Sequence, residues 1–439
     1  MSLSTVDALE NAQPTNAGQL PDLTGQWQGT VEGAEKEERI AVKFWKQNGK
    51  WGGLMNLPDG HDRRRIFPIS LKGSKLKFSC VGFHYEGEVN ADGNSIEGVR
   101  TIVHTRPLKF ERAAEETAWP FCTSTHTVRF IEVDEDVELE VLDWGGTGRP
   151  LLLLTGLGST AHTFDNFAPR LTDKYHVYGI TRRGFGESSA PVPDDKNYAA
   201  DRLGDDVLAV MDALRLDRPV LAGASVAGEE MSSIGSRFPE KVAGLIYLDA
   251  GLSFAYYDGS QGDLHIDAME LRKKVERLTF TGEPRELKPL VRELLQTDIP
   301  QLERHLRKMH AVLEAMPEPA PKAEAETEME APLPRRAPAT PAAVIAIRAG
   351  TQKYSGINCP VLSIFADRSD FSAIHKDDPA ARAAAEAIYV PRGRAQMDAF
   401  EAGVPQARVV RLANADHAVY RSNLEDVLRE IDEFVATLT

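Results

Sequence analysis

The sequence predicts an α/β protein in two unequal parts. A small all-β, barrel-like domain comes first, followed by a larger domain on a mainly parallel, doubly wound sheet with a helical cap insertion. Three observations lead there. Apolar and polar residues alternate with period two over the first quarter of the chain. From Thr127 onward, short continuous apolar runs alternate with helical patterns. One long insertion interrupts that alternation and turns Pro/Ala/Glu-rich.

In chain order, residues 1–21 read as a disordered lead, 22–113 as the β-domain, 114–126 as a linker and 127–439 as the α/β domain. In the β-domain, Ile40, Val42 and Phe44 alternate with polar residues, as do Leu76, Phe78 and Cys80. Turn chemistry falls at Gln47-Asn48-Gly49, Pro58-Asp59-Gly60 and Ala91-Asp92-Gly93, which predicts antiparallel hairpins. In the second domain, strands are expected at about 128–133, 137–144, 151–155, 176–181, 219–222, 243–249, 361–365 and 407–412. Helices are expected after Gly156, near 203–214, after Ser225 and at the C-terminus. The cap insertion spans about 252–356, opening as amphipathic helix and becoming a mobile stretch at 316–342, whose composition buries too little surface to order itself.

Composition narrows the function. A net charge of −15 argues against a nucleic-acid partner, because a phosphate-binding surface needs a positive patch. No apolar run is long enough to span a bilayer. The three cysteines, Cys80, Cys122 and Cys359, lie far apart and imply neither a disulfide framework nor a metal site. His305 and His310 are five apart, off a common helical face, and no His-Glu-x-x-His or Cys-x-x-Cys occurs, so no metal is expected. Residues 1–19 are polar and lack the pattern of a secretory leader. As written the chain reads as cytoplasmic, or as periplasmic or secreted if a native leader has been removed. The sequence carries no signal for an oligomeric state.

The chemistry-bearing residues are picked out by context. A Gly-x-Ser-x-Gly/Ala pattern occurs around Ser188, Ser225 and Ser253. Ser225 alone follows an apolar strand, Pro219-Val220-Leu221-Ala222, and precedes a helical stripe of Val226, Met231, Ile234 and Phe238. That is the strand–turn–helix setting of a nucleophile elbow. Ser188 is followed by Pro191, and Ser253 runs into Tyr256-Tyr257-Asp258-Gly259, so both read as turn serines. His417 sits between the last strand and the last helix, at the sheet edge where Ser225 also lies. Acyl transfer also needs N–H donors for the developing oxyanion; Val226 and Leu157, in the turn Thr155-Gly156-Leu157-Gly158, are placed to supply them.

Together these segments resemble the α/β-hydrolase superfamily over about residues 127–439. Leu154-Thr155-Gly156-Leu157-Gly158 resembles the oxyanion loop, Arg183-Gly184-Phe185-Gly186-Glu187-Ser188 the loop after the next strand, Gly223–Gly228 the elbow, and Asn414-Ala415-Asp416-His417 the histidine loop. Within that superfamily the chain is most similar to bacterial serine hydrolases with an N-terminal lipocalin-like β-domain, where Leu23-Thr24-Gly25-Gln26-Trp27-Gln28-Gly29 looks like the opening strand. It departs from the family at Ala224 and Thr155, where histidines are usual.

The resemblance implies a cofactor-free hydrolase of an ester-type carbonyl on a small molecule, working through an acyl-enzyme. It equally allows C–C bond hydrolysis or lyase chemistry on the same triad, or a ligand-binding protein that keeps the fold. Relatives with an aspartate nucleophile, dehalogenases and epoxide hydrolases, are disfavoured by serine at 225. For the triad acid two strand ends compete. The family's usual slot, three residues past a strand-end glycine, here holds Ala366 and Ser369, with Asp367 and Asp370 each one residue away. Asp249 closes an apolar strand, where a carboxylate is costly unless paired. Asp249 is therefore preferred, with Asp370 the alternative and Asp367 third.

Overall fold

The computed structural model describes residues 21–33, 38–47, 49–57, 62–66, 68–80, 83–102, 105–119, 125–280, 284–314, 342–368 and 379–439. The lead (1–21) except Pro21, the stretch expected to be mobile (316–342) except Ala342, and Asp370 lie outside the described residues. Contacts divide the chain into two compact units, Met1–Asp59 with Ile66–Trp119, and Gly60–Arg65 with Pro120–Thr439.

In the first unit eight antiparallel strands follow from the period-two patterning: β1 (Gly25–Thr30), β2 (Arg39–Gln47), β3 (Lys50–Leu57), β4 (Ile69–Lys72), β5 (Lys75–Cys80), β6 (Phe83–Val89), β7 (Ser95–Thr101) and β8 (Thr105–Arg112). Their spatial order is β3-β2-β1-β8-β7-β6-β5-β4. The alternating residues Ile40, Val42, Phe44, Leu76, Phe78, Tyr85 and Phe110 form the core with Trp27. A Cβ on Gly53 of β3 would lie 3.1 Å from Ile69 Cδ1 of β4, so the two ends of the strand order meet and the sheet curls nearly closed. Residues 117–119, from the expected linker, are tied to β1: Gln28 Nε2 donates to Thr117 O (3.1 Å), and Gln26 Nε2 to Trp119 O (2.7 Å).

The second unit is the expected doubly wound sheet: β9 (Thr127–Asp134), β10 (Val137–Gly145), β11 (Arg149–Leu154), β12 (Tyr175–Ile180), β13 (Val220–Ala224), β14 (Gly244–Leu248), β15 (Val361–Asp367) and β16 (Ala407–Ala413), in the order β9-β10-β12-β11-β13-β14-β15-β16. β10 is antiparallel to both neighbours, and the remaining pairs are parallel. The central strands β11, β13, β14 and β15 are largely apolar because both faces are covered. Leu152 and Leu154 join Leu221, Leu245 and Tyr247 on one face, against α1 (Ala200–Ala213), α2 (Ala227–Arg237) and α7 (Pro379–Gly403). Leu151 and Leu153 join Ala222, Ile246 and Ile364 on the other, against α8 (Val419–Ser422) and α9 (Leu424–Val435). The cap carries α3 (Leu264–Phe280), α4 (Pro284–Glu293), α5 (Ile299–Glu314) and α6 (Ala342–Gly350). No helix among the described residues is long and apolar enough to cross a membrane.

Two elements differ from expectation. The helix expected between β11 and β12 is instead two 3₁₀ turns, Ala161–Phe164 and Ala168–Arg170, the second opened by Pro169. Helix α7 has no counterpart in the sequence reading, because Pro391 and Gly393 interrupt a pattern that is already largely alanine.

The turn after β12 is anchored by a buried ion pair. Arg183 Nε and Nη2 donate to Asp206 Oδ2 and Oδ1 on α1, each at 2.6 Å, and Arg202 Nη2 donates to the same Oδ1 at 2.8 Å. Arg183 is wholly buried, so removing it takes two of these three side-chain bonds from a buried carboxylate and leaves it only Arg202. Arg183→Met is expected to destabilise the second unit by about 3–5 kcal/mol in urea unfolding, and Arg183→Met/Asp206→Leu to recover much of that loss. A single-variant cost below about 1 kcal/mol would show the pair to be dispensable.

Candidate active site

Ser225 occupies the turn between β13 and α2 with φ +52°, a left-handed conformation that is strained for serine. Its N–H reaches Leu248 O at the end of β14 (3.4 Å), and Gly228 N–H donates to Ser225 O (2.9 Å). The turn fits because its neighbours are small. A Cβ on Gly228 would fall 2.1 Å from Ala250 O, so any side chain there would push α2 off the end of β14. On the other side, a Cβ on Gly156 would lie 3.5 Å from Ser225 Cβ, which puts the Thr155–Gly158 turn against the serine.

Asp249 follows β14 directly, again with positive φ (+48°). One carboxylate oxygen, Oδ1, accepts from Ala366 N–H of β15 at 3.0 Å. The other, Oδ2, lies 2.6 Å from His417 Nδ1. The His417 loop leaves β16 through Asn414, at φ +57°. The imidazole is half exposed (53%), whereas the Asp249 side chain is 12% exposed. Asp249 thus holds the Nδ1 side of His417 and leaves Nε2 for chemistry. Asp367 is engaged elsewhere, accepting from Arg394 Nε at 3.0 Å. Among the described residues no hydrogen bond joins the Ser225 hydroxyl to His417. Such contacts are often long before substrate arrives.

The other two pattern serines are structural. Ser188 is fully buried; its Oγ donates to Thr181 O (2.7 Å) and accepts from Glu140 N–H (2.9 Å). Ser253 Oγ donates to Asp263 Oδ2 at 2.8 Å. His305 meets Asp267 at 3.3 Å, and His310 is exposed beside Glu314.

Strand order and strand–turn–helix elbow agree with a family match: the model described as alpha/beta hydrolase fold matches residues 149–290, from β11 through α4. The second unit has the α/β-hydrolase fold, and residues 149–290 match that family. Curated relatives point the same way. The chain is 32% identical over 108 residues to 3-oxoadipate enol-lactonase 2 of Acinetobacter baylyi, 35% over 107 to fluoroacetate dehalogenase of a Burkholderia species, and 31% over 118 to 2-hydroxymuconate semialdehyde hydrolase of a Pseudomonas species. These matches cover 24, 24 and 26% of this chain, and 39, 35 and 41% of the relatives' own lengths.

The Thr155–Gly158 turn is braced by a buried pair that none of the sequence motifs marks. Arg182 Nη2 donates to Thr155 O (2.9 Å) and Nη1 to Gly156 O (3.5 Å), while Nε bonds Glu230 on α2. Arg182 and Glu230 are both buried. The available signal was two arginines after an apolar strand and two glutamates on the elbow helix, charges placed where burial demands partners. Glu229, beside Glu230, is fully buried, and burial together with the Glu230 charge pushes its carboxyl up to about 8.

An unfolded glutamate loses its proton near 4.5, whereas folded Glu229 keeps it until about 8. Folding stability therefore falls as pH rises across that window. Glu229→Gln should stabilise the protein at pH 8 and make little difference at pH 4.5, read by chemical unfolding at both values. Equal effects at the two pH values would contradict the buried-acid assignment.

Proposed function

We propose that the protein is a serine hydrolase that cleaves an ester-type carbonyl of a small molecule through an acyl-enzyme. The observation that carries this reading is the 2.6 Å contact between His417 Nδ1 and Asp249 Oδ2, made at the sheet edge where Ser225 stands on its strained turn. His417 Nε2 takes the Ser225 proton as Oγ attacks the carbonyl carbon. Asp249 stabilises the imidazolium that forms. The N–H groups of Leu157 and Val226 receive the oxyanion, with Arg182 fixing the carbonyls of the Leu157 turn. His417 then returns its proton to the leaving group and activates the water that frees the acyl group. No step requires a cofactor.

A second reading, C–C bond hydrolysis by the same residues, draws support from the similarity to 2-hydroxymuconate semialdehyde hydrolase. A panel of p-nitrophenyl esters of increasing acyl length, run beside a vinylogous diketone, separates the two by kcat/KM.

Side-by-side kinetics test the roles. Ser225→Ala should lose several orders of magnitude in turnover with stability nearly unchanged, since alanine keeps the backbone and the hydroxyl packs little. Asp249→Asn should lose about 10³–10⁴ in kcat through loss of the imidazole's orientation, and Asp370→Asn and Asp367→Asn less than about tenfold. A Ser225→Ala enzyme within about tenfold of wild type ends the serine-hydrolase reading. A thousandfold loss in Asp370→Asn with little in Asp249→Asn moves the acid to the other strand end.

A further inference from the structure

Outside the residues assigned to acyl transfer, two imidazoles and a carboxylate meet in the interior of the second unit. His126 directly precedes β9; His162 lies in the 3₁₀ turn Ala161–Phe164, and Asp165 ends that turn. Their side chains are 4, 2 and 3% exposed. His126 Nδ1 lies 3.3 Å from Asp165 Oδ1, and His162 Nδ1 lies 3.2 Å from Asp165 Oδ2. One nitrogen or oxygen from each residue falls within 4.8 Å of the others. On its far side, His162 Nε2 faces Glu140 Oε1 of β10 at 3.4 Å. Thr181 Oγ1 donates to Glu140 Oε2 at 2.7 Å and accepts from Ala161 N–H at 2.9 Å.

We propose that His126, His162 and Asp165 form a binding site for a divalent transition-metal ion of the zinc class, with Glu140 orienting His162 from behind. Four features carry this. Two imidazole nitrogens and a carboxylate are a donor set that zinc takes readily. The spacing suits the element: residues three apart eclipse on a 3₁₀ turn, so His162 and Asp165 present to one side. The separations also suit an ion. A charge-assisted N–H···O contact closes to about 2.7–2.9 Å, as the His417–Asp249 pair of this chain does at 2.6 Å, whereas these two pairs stand at 3.2 and 3.3 Å. Ligands about 2.0–2.1 Å from a tetrahedral ion lie roughly 3.3–3.4 Å apart, which is the spacing of these pairs. Finally, a metal-bound histidine usually donates its other ring N–H to a carboxylate, and Glu140, itself held by Thr181, stands there. The ion would tie the entry of β9 to the turn that follows the Thr155–Gly158 segment. That is a structural role, and its divalent charge matches the carboxylates of Asp165 and Glu140.

The rival is a metal-free hydrogen-bonded chain in which His162 is an imidazolium between two carboxylates. Untagged full-length protein, stripped with a chelator and shown by near-ultraviolet circular dichroism to be folded, is titrated with Zn²⁺ against a chromophoric chelator. Co²⁺ loading is then followed by visible absorption. The expected result is about one ion per chain, with ligand-field bands of a four- or five-coordinate Co²⁺ site and Zn²⁺ affinity at least about a hundredfold weaker in His126→Gln and Asp165→Asn. Glu140→Gln should weaken binding by about ten- to a hundredfold, as an outer partner does. His126→Gln lies at a strand entry, so it keeps the test decisive if the Asp165 variant fails to fold. Folded wild-type protein that takes up no Zn²⁺, or uptake unchanged in His126→Gln, overturns the proposal and leaves the hydrogen-bonded chain.

Discussion

The hydrogen bond between Asp249 and His417 organises the candidate site, and it exists because of strand register. Leu248 of β14 pairs with Ile364 of β15, and Asp367 of β15 pairs with Ala413 of β16. Three parallel strands in that register end at one edge, so the residue after β14 and the loop after β16 can meet over the end of β15. The middle strand also contributes: the Ala366 N–H holds the second Asp249 oxygen at 3.0 Å and fixes the carboxylate's angle. A one-residue slip would turn every side chain to the other face and break both contacts.

Backbone strain gathers at the same edge. Six non-glycine residues among those described have positive φ, and three of them, Ser225, Asp249 and Asn414, stand just past the ends of β13, β14 and β16. Each such conformation costs on the order of 1–3 kcal/mol and persists only where the surroundings over-determine it. Here the surroundings are two closely packed layers on the buried central strands, and the close approach of Gly228 to Ala250. The buried Arg182–Glu230 pair extends this rigidity to the Thr155–Gly158 turn.

Much of this was legible in the sequence, for physical reasons. Strands such as Leu151–Leu154, buried on both faces, must be continuously apolar, and the first unit's one-faced strands must alternate. Ser225 was separable from Ser188 and Ser253 because an elbow needs a strand before it and a helix after it, both visible as periodicity. Asp249 is preferred over Asp370, with Asp367 third, because it is a single polar residue closing an apolar run; Asp249 is in contact with His417, while Asp370 lies outside the described residues. Tertiary pairing was not legible. Arg182 and Glu230 are far apart in sequence, and nothing local marks them as partners. The 3₁₀ turns after β11 read as a helix because the spacing of Phe164, Phe167 and Ala168 fits either, and Pro391 and Gly393 hide α7.

The proposed acyl transfer requires Ser225 to be a nucleophile activated by an oriented imidazole. Reaction of the folded full-length chain with a fluorophosphonate probe, followed by peptide mapping, measures that directly. The expected result is one adduct, on Ser225, forming far more slowly in His417→Ala. Folded protein that stays unlabelled, or an adduct on Ser188 or Ser253 instead, contradicts it.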